Sequence, residues 1–367
     1  MRRTQELWSE LLVPGIFLCI TIAAIAIGEI PIHAVTSDAL ERVFRNLVLV
    51  LSLMIPIVAG LGLNFGIVLG AMAGQMGLLY VENGEIGGLG GICVAVACSI
   101  PIAMLLGYLT GLLFNRARGK EMVTGLILGF FANGFYQLLF LILAGPVIPI
   151  NHPRMLLPEG IGLRVTVELR SVERGLDSPL EAVGGGFSGS VPLDIGGRFW
   201  GEIPLLTLFV LVVICLGLWF FFRTKLGQDI RAVGQDPHVA EIAGIRVDRC
   251  RIIAIMLSMV LAGIGQIIWL QNMTVMNTFG SHEQVGFYAI AAILVGGATV
   301  TRVRIWNAIA GTILFHTMLV AVSTAMMRVE VTQLGEYFRQ FFLFAIIGVT
   351  LAIYSWKSKK AGEKLIQ

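Results

Sequence analysis

Nine stretches of the chain carry no Asp, Glu, Lys or Arg: 11–28, 46–81, 86–115, 122–153, 203–222, 252–282, 284–301, 305–327 and 340–356. A helix needs about 20 apolar residues to cross a bilayer, so eight of these tracts predict one span each and the longest, 46–81, predicts two. The pattern therefore predicts an all-α integral membrane fold of about ten transmembrane helices. Its runs are continuous rather than alternating, which excludes an outer-membrane barrel. The first tract follows Arg2 and Arg3 and contains Ala24-Ile25-Ala26, the small-x-small form of a signal-peptide exit. It continues through Ile27 and Gly28 to Glu29, and so reads as a span.

Composition agrees: 56% of residues are hydrophobic and only 13% charged, with a mean hydropathy of +0.86. A water-soluble enzyme, a nucleic-acid binder and a disordered regulator are excluded. If 46–81 crosses twice, 17 of the 26 Lys and Arg fall on one side, in 1–10, 116–121, 223–251, 302–304 and the tail after 356. Of the remaining nine, five (Arg154, Arg164, Arg170, Arg174, Arg198) sit in the long segment 149–202, where the positive-inside rule has little force. The asymmetry predicts cytoplasmic N- and C-termini. It also divides the chain into a first transmembrane half (1–148), an extracytoplasmic loop or lobe (149–202), a second half (203–356) containing the cytoplasmic segment 223–251, and a basic tail (357–367). The segment 149–202 reads as a small β-rich lobe or as a connector.

Pro56, Gly60 and Asn64 predict a broken, glycine-rich helix over 56–80, because irregular backbone at membrane depth survives only beside protein or water. Gly62, Gly66, Gly70 and Gly74 recur every fourth residue, the spacing that lets helix backbones approach closely in lipid. In 223–251, Asp236 is an N-cap, Pro237 the first helical residue and Gly244 a stop, so 236–244 predicts a short cytoplasmic helix. Its apolar side (Val239, Ala240, Ile242, Ala243) fits a groove on a partner or the lipid surface.

Catalytic chemistry finds little support. The charge-free tracts hold no carboxylate for ion coupling, and His316 is the best proton carrier within a span. HExxH, GxSxG and GxxxxGK[ST] strings are absent, so the chain has no phosphate loop of its own. The five cysteines show no metal or disulfide spacing. Uncharged polar residues are more informative: Asn64, Gln75, Asn133 and Gln137 sit among apolar residues where an amide needs a partner or water. Together with Met72, Met76, Phe130, Phe131 and Tyr136 they predict a pathway for a neutral solute, or else hydrogen bonds between helices.

LGLNFGIVLGAMAGQMGLL (61–79), RAVGQDPHVAEIAGI (231–245) and AIAAILVGGATV (289–300) resemble the permease subunits of bacterial ABC importers for sugars, nucleosides and branched-chain amino acids. The resemblance implies an inner-membrane subunit without enzymatic activity of its own. Gly234, Asp236, Pro237, Ala240, Glu241, Ala243 and Gly244 would then dock on an ATP-binding cassette subunit. ATP and Mg would reside on that partner, with no cofactor on this chain. A second permease subunit, a substrate-binding lipoprotein and membrane lipid complete the implied partners, and nucleic acid is not among them. Length and outer loop look closest to the nucleoside-type and riboflavin-type branch, with simple sugars and branched-chain amino acids as alternatives. A gradient-driven carrier and a membrane scaffold are the readings from other classes.

Overall fold

The computed structural model describes residues 2–150, 152, 154–158, 160–177 and 189–328, with scattered positions between 337 and 348. Most of the predicted span 340–356, the tail and the Gly184–Gly186 run lie outside the described residues. In chain order the elements are α1 (Arg2–Ile27), α2 (Ile32–Ser52), α3 (Met54–Val58), α4 (Ile67–Asn83), α5 (Gly88–Arg116) and α6 (Glu121–Ile142). Then come β1 (Thr166–Glu168), β2 (Ser190–Ile195), β3 (Arg198–Pro204), α7 (Leu205–Phe221), α8 (Lys225–Gln235) and α9 (Pro237–Ile242). The described chain continues with α10 (Val247–Met273), β4 (Val275–Asn277), α11 (Ser281–Val295) and α12 (Ile305–Arg328). Among the described residues α5, α6, α10 and α12 are long and apolar enough to cross a membrane, and α7 with α8 makes a fifth span if that pair, bent by 72°, is taken as one.

Two compact units divide the chain, one formed by 1–43, 192–202 and 287–367 and the other by 44–191 and 203–286. In the first, α1 packs on α12 around Ile30, Val35, Val320, Ala321 and Ala325. Asn307 closes the turn between α11 and α12 by donating from Nδ2 to Gly296 O at 2.7 Å.

The second unit is built on α4, α5 and α10, which contact one another pairwise. Apolar contact gives helices no driving force in lipid, so close backbone packing does the holding. A Cβ on Gly70 would lie 2.6 Å from Met259 O and 2.8 Å from Ala262 Cβ of α10. Gly74 presses on Gly263, while Gly107 and Gly111 of α5 approach Met256 Cα and Ile252 Cα to within 2.7 and 2.9 Å of where a Cβ would stand. Gly62 does not share this face, whereas a Cβ on Gly66 would stand in ordinary contact, 3.8 Å from Met259 Cε. Gly62 has φ +72° in the break between α3 and α4, and Gly66 is the N-cap position of α4. The glycine spacing continues through the break, but the helix that would align it starts only at Ile67.

The tract 46–81 begins inside a helix. α2 starts at Ile32 and carries Asp38, Glu41, Arg42 and Arg45 in its first two thirds, so the charge that ended the apolar reading did not end the helix. Segment 149–202 contributes to two small sheets: β2 pairs with β3, and β1 pairs antiparallel with the distant β4, Thr166 facing Asn277 and Glu168 facing Val275.

Candidate functional site

The β1–β4 ladder positions a buried polar cluster in the second unit. α10 ends at Thr274, whose left-handed φ of +58° turns the chain into β4. After β4, Asn277 Oδ1 accepts from Phe279 N at 3.1 Å and Gly280 N at 3.0 Å, and Asn277 N donates to Ser281 Oγ at 2.9 Å. This turn delivers His282 to the start of α11. From α4, Gln75 donates through Nε2 to Asn277 O (3.0 Å) and Thr278 O (3.4 Å). The His282 ring then bridges two helices, with Nδ1 2.6 Å from Gln75 Oε1 and Nε2 2.9 Å from Asn133 Oδ1 of α6.

Three of the four predicted pathway amides therefore meet: Gln75 and Asn133 through the imidazole, and Gln137 by donating to Asn133 Oδ1 at 3.4 Å. Tyr136 joins them, its ring centroid 5.0 Å from that of His282. Gln75 and His282 are 0% exposed and Tyr136 2%. Asn64 stands apart. It accepts from Gly66 N at 2.9 Å and stabilises the break, where an unwound turn leaves backbone donors to be satisfied. Phe130 and Phe131, expected along the same path, are exposed on the outer face of α6. His316 is buried in α12. Sequence reasoning missed His282, although a histidine inside an apolar tract was signal enough.

Segment 223–251 forms a second feature. Thr224 caps α8, accepting from Gly227 N at 3.2 Å, and Gly234 near its other end packs backbone to backbone on Val58 and Gly60, beside the break. Asp236 caps α9, accepting from His238 N at 2.9 Å and Val239 N at 3.1 Å, with Pro237 at the first position. Gly244, at φ +82°, closes it, and Ile245 N donates to Ala240 O at 3.0 Å. Ala240 is buried, whereas Val239 and Ile242 are 60% and 75% exposed. Glu241 and Ala243 are exposed as well. The element is anchored at one point and presents a bare apolar face.

Ionic ties lie at helix ends. Arg251 in the second turn of α10 pairs with Glu121, the first residue of α6, while Nε donates to Asn115 Oδ1 at 2.9 Å and Nη2 to Phe114 O at 3.3 Å. Arg118 pairs with Asp248 nearby. At the far end of α10, Asn272 Nδ2 donates to Asp177 Oδ2 at 2.8 Å and Thr207 Oγ1 to Asp177 Oδ1 at 2.7 Å. No group of three or more His, Cys, Asp or Glu able to hold a metal occurs among the described residues.

A family model described as branched-chain amino acid transport system / permease component matches residues 40–351. Among curated proteins, the chain is 31% identical over 102 residues to a nucleoside ABC transporter permease protein of Lactococcus lactis subsp. cremoris, covering 28% of this chain and 32% of that one. It is 27% identical over 108 residues to a guanosine ABC transporter permease protein of Bacillus subtilis, 29% of this chain and 34% of the other. A fructose import permease protein of Bifidobacterium longum is 32% identical over 92 residues, 25% of this chain and 26% of that protein. The chain spans about a third of the length of the first two of these relatives. No solved structure matches it.

Proposed function

This chain belongs to the family of permease components of branched-chain amino acid transport systems, and on that premise we propose that it is one permease subunit of a bacterial ABC importer. It forms half of a translocation pathway for a small neutral solute and catalyses no reaction itself; ATP is hydrolysed on a separate cassette subunit. Its place is the bacterial inner membrane, which it crosses repeatedly. The observation that carries the reading is α9: a self-capped helix in the most basic loop of the chain, anchored by Ala240 and exposing Val239 and Ile242. An exposed apolar face on a rigid, short helix suits insertion into a groove on a partner. Gly234, Asp236, Pro237, Ala240, Glu241, Ala243 and Gly244 make up this docking element, and its seat on Val58 and Gly60 joins it to the broken helix.

The charge asymmetry supports ten spans with both termini cytoplasmic, residues 1–148 and 203–356 forming the two transmembrane halves and 149–202 lying outside. The amides Gln75, Asn133 and Gln137 line the path, with Asn64 holding open the irregular backbone beside it. A second permease subunit and a substrate-binding lipoprotein complete the importer. The relatives' names, nucleoside and guanosine, support a nucleoside as solute; the fructose permease keeps simple sugars as the second reading.

Reconstituting the chain with the cassette and second permease subunits in vesicles, and following [3H]guanosine, tests the reading. Uptake should require both ATP and the cassette subunit. Uptake that ignores ATP and follows an imposed proton gradient would instead make this a secondary carrier. Orientation is checked separately with single cysteines: an impermeant reagent applied outside should label position 185 and spare position 235.

A further inference from the structure

In the first unit, residues 192–202 carry the tip of the β2–β3 pair and sit on the start of α2. Gly196 and Gly197, with φ +65° and +73°, make the tight turn at this tip. Gly201 then packs so closely on α2 that a Cβ there would stand 3.2 Å from Ser37 Cα. The Trp200 indole donates to Ile195 O at 3.2 Å, and its ring meets that of His33 edge-on, centroids 6.4 Å apart. Tip and helix enclose an open cavity of about 550 Å³, lined among others by His33, Ser37, Asp38, Arg198 and Phe199. That volume falls within the roughly 300–1,000 Å³ of ordinary small-molecule sites.

The cavity holds one fixed charge of each sign, and the two are not paired. Among the described residues the Arg198 guanidinium and the Asp38 carboxylate make no ion pair and no side-chain hydrogen bond, with each other or with a third group. Opposite charges that line one hollow without meeting suit a ligand that carries both signs itself. The surroundings show where such a ligand comes from. The apolar run Val13–Ile27 of α1 ends a few residues before His33, and Leu18, Ile22 and Ile27 along it are exposed. Ile32 at the start of α2 is exposed too, as are Ile195 and Phe199 at the tip. In a multi-pass membrane protein an apolar surface of this kind is covered by acyl chains, and a tryptophan at its margin marks the level of the headgroups.

We propose that this cavity binds the headgroup of a zwitterionic phospholipid bearing a primary amine, its phosphate on Arg198 and its ammonium on Asp38, with the acyl chains leaving over Ile27 and Ile32. Phosphatidylethanolamine has this chemistry. A guanidinium offers a phosphate paired N–H groups in one plane, and an ammonium offers a carboxylate three donors. Phosphatidylcholine keeps both charges, but its methyl groups leave nothing to donate to Asp38. Phosphatidylglycerol satisfies Arg198 and brings no cation for Asp38. Headgroup recognition here is thus a matter of two charges and a donor count, not of the bulk surface potential that draws anionic lipid to basic segments. The site fastens the start of α2 and the β2–β3 tip to the bilayer, whatever solute the protein moves, and needs the membrane location alone.

The test is native mass spectrometry of the delipidated full chain in detergent, titrated with dioleoyl phosphatidylethanolamine, phosphatidylcholine and phosphatidylglycerol. Wild type should bind phosphatidylethanolamine about tenfold more tightly than the other two, the value of one charge-assisted contact that neither can make. Asp38→Ala should bring phosphatidylethanolamine and phosphatidylcholine to equal affinity. Arg198→Gln should weaken phosphatidylethanolamine about tenfold, and Asp194→Ala, an exposed acidic residue of β2 that does not line the cavity, should leave the ranking as in wild type. Equal affinity of wild type for all three lipids would overturn the proposal. So would a preference for phosphatidylethanolamine that survives both Asp38→Ala and Arg198→Gln, since the lipid would then sit elsewhere. O-phosphoethanolamine has the headgroup's charges without tails; binding as tight as the lipid's would make this a site for a soluble zwitterion and overturn the lipid assignment. Should Asp38→Ala fail to fold, the wild-type ranking and Arg198→Gln still decide.

Discussion

Gly234→Ala puts one methyl group at the seam between the proposed coupling segment and the broken helix. The added Cβ would lie 2.9 Å from Gly60 N and 2.9 Å from the Val58 carbonyl carbon, and closer still to Val58 O. Ordinary contact begins at 3.4 Å, so the two backbones must part by about 0.5 Å at the milder contacts and by more against the carbonyl. Gly60, at φ +74°, cannot adapt by taking up a common backbone conformation. Overpacking of this kind costs about 1–3 kcal/mol, offset by about 1 kcal/mol for replacing a helical glycine with alanine. A net loss of about 0–2 kcal/mol leaves the protein folded with its seam displaced. α9 follows directly across Asp236, so motion of the docking element should reach the break less faithfully. Uptake and phosphate release measured in the same vesicles should show hydrolysis retained and solute moved per ATP reduced about tenfold, in proportion to a seam energy of roughly 1.4 kcal/mol. Gly134→Ala, where a Cβ would meet nothing within 4 Å, is the control and should leave the ratio unchanged. A Gly234→Ala variant with the wild-type ratio and a Tm matching that control would refute the mechanical link.

Three further outcomes follow from the same geometry. Arg251→Met strands Glu121 in a buried site and should cost about 3–5 kcal/mol, while adding Glu121→Leu should recover most of it; thermal unfolding of the two single variants and the double variant checks this, and additive losses would exclude the pairing. Ile242→Asp changes an exposed residue, so Tm should stay within about 0.5 kcal/mol of wild type in stability terms while co-purification of the cassette subunit is lost; an intact complex would remove α9 from the docking surface. Gln75→Leu keeps the side-chain volume but strips the amide from His282 and the β4 carbonyls. It should lower uptake by about tenfold or more per folded complex, whereas a packing role alone would reduce the yield of folded protein and leave normalised uptake intact.

Local chemistry made part of this legible in the sequence, and distant pairing hid the rest. The helix α9 was readable because every signal lies within nine residues: an Asp N-cap, a Pro at the first position, a Gly stop. The break between α3 and α4 was readable for the same reason, from Pro56, Gly60 and Asn64. α2 was not, because an apolar-tract reading starts where charge ends, and the first two thirds of this helix keep Asp38, Glu41, Arg42 and Arg45 on an amphipathic surface. Gln75, Asn133 and Gln137 stood out as amides in apolar runs, yet their meeting depends on His282, 207 residues from Gln75 and 149 from Asn133. His282 reaches them only through β4, whose partner β1 is a three-residue strand with no periodic signature.

The placement of ionised groups in the second unit gives a physical reason for the neutral cluster. Glu121 opens α6, Arg251 sits in the second turn of α10, Glu82 is the penultimate residue of α4, and Asp177 meets the last turn of α10 through Asn272. Between these ends the buried polar groups on α4, α6, α10 and α11 are Gln75, Asn133, Tyr136, Ser258, Gln266, Gln271 and His282, without a carboxylate, lysine or arginine among them. Separating a buried ion pair leaves two desolvated charges, at several kcal/mol each. Exchanging one neutral hydrogen bond for another changes the free energy by about 1 kcal/mol or less. A passage that must open and close repeatedly is therefore best built from amides and an imidazole. On the proposed permease reading, the ionic ties at the rims would hold helix ends in register while the neutral bonds between them are remade around a solute.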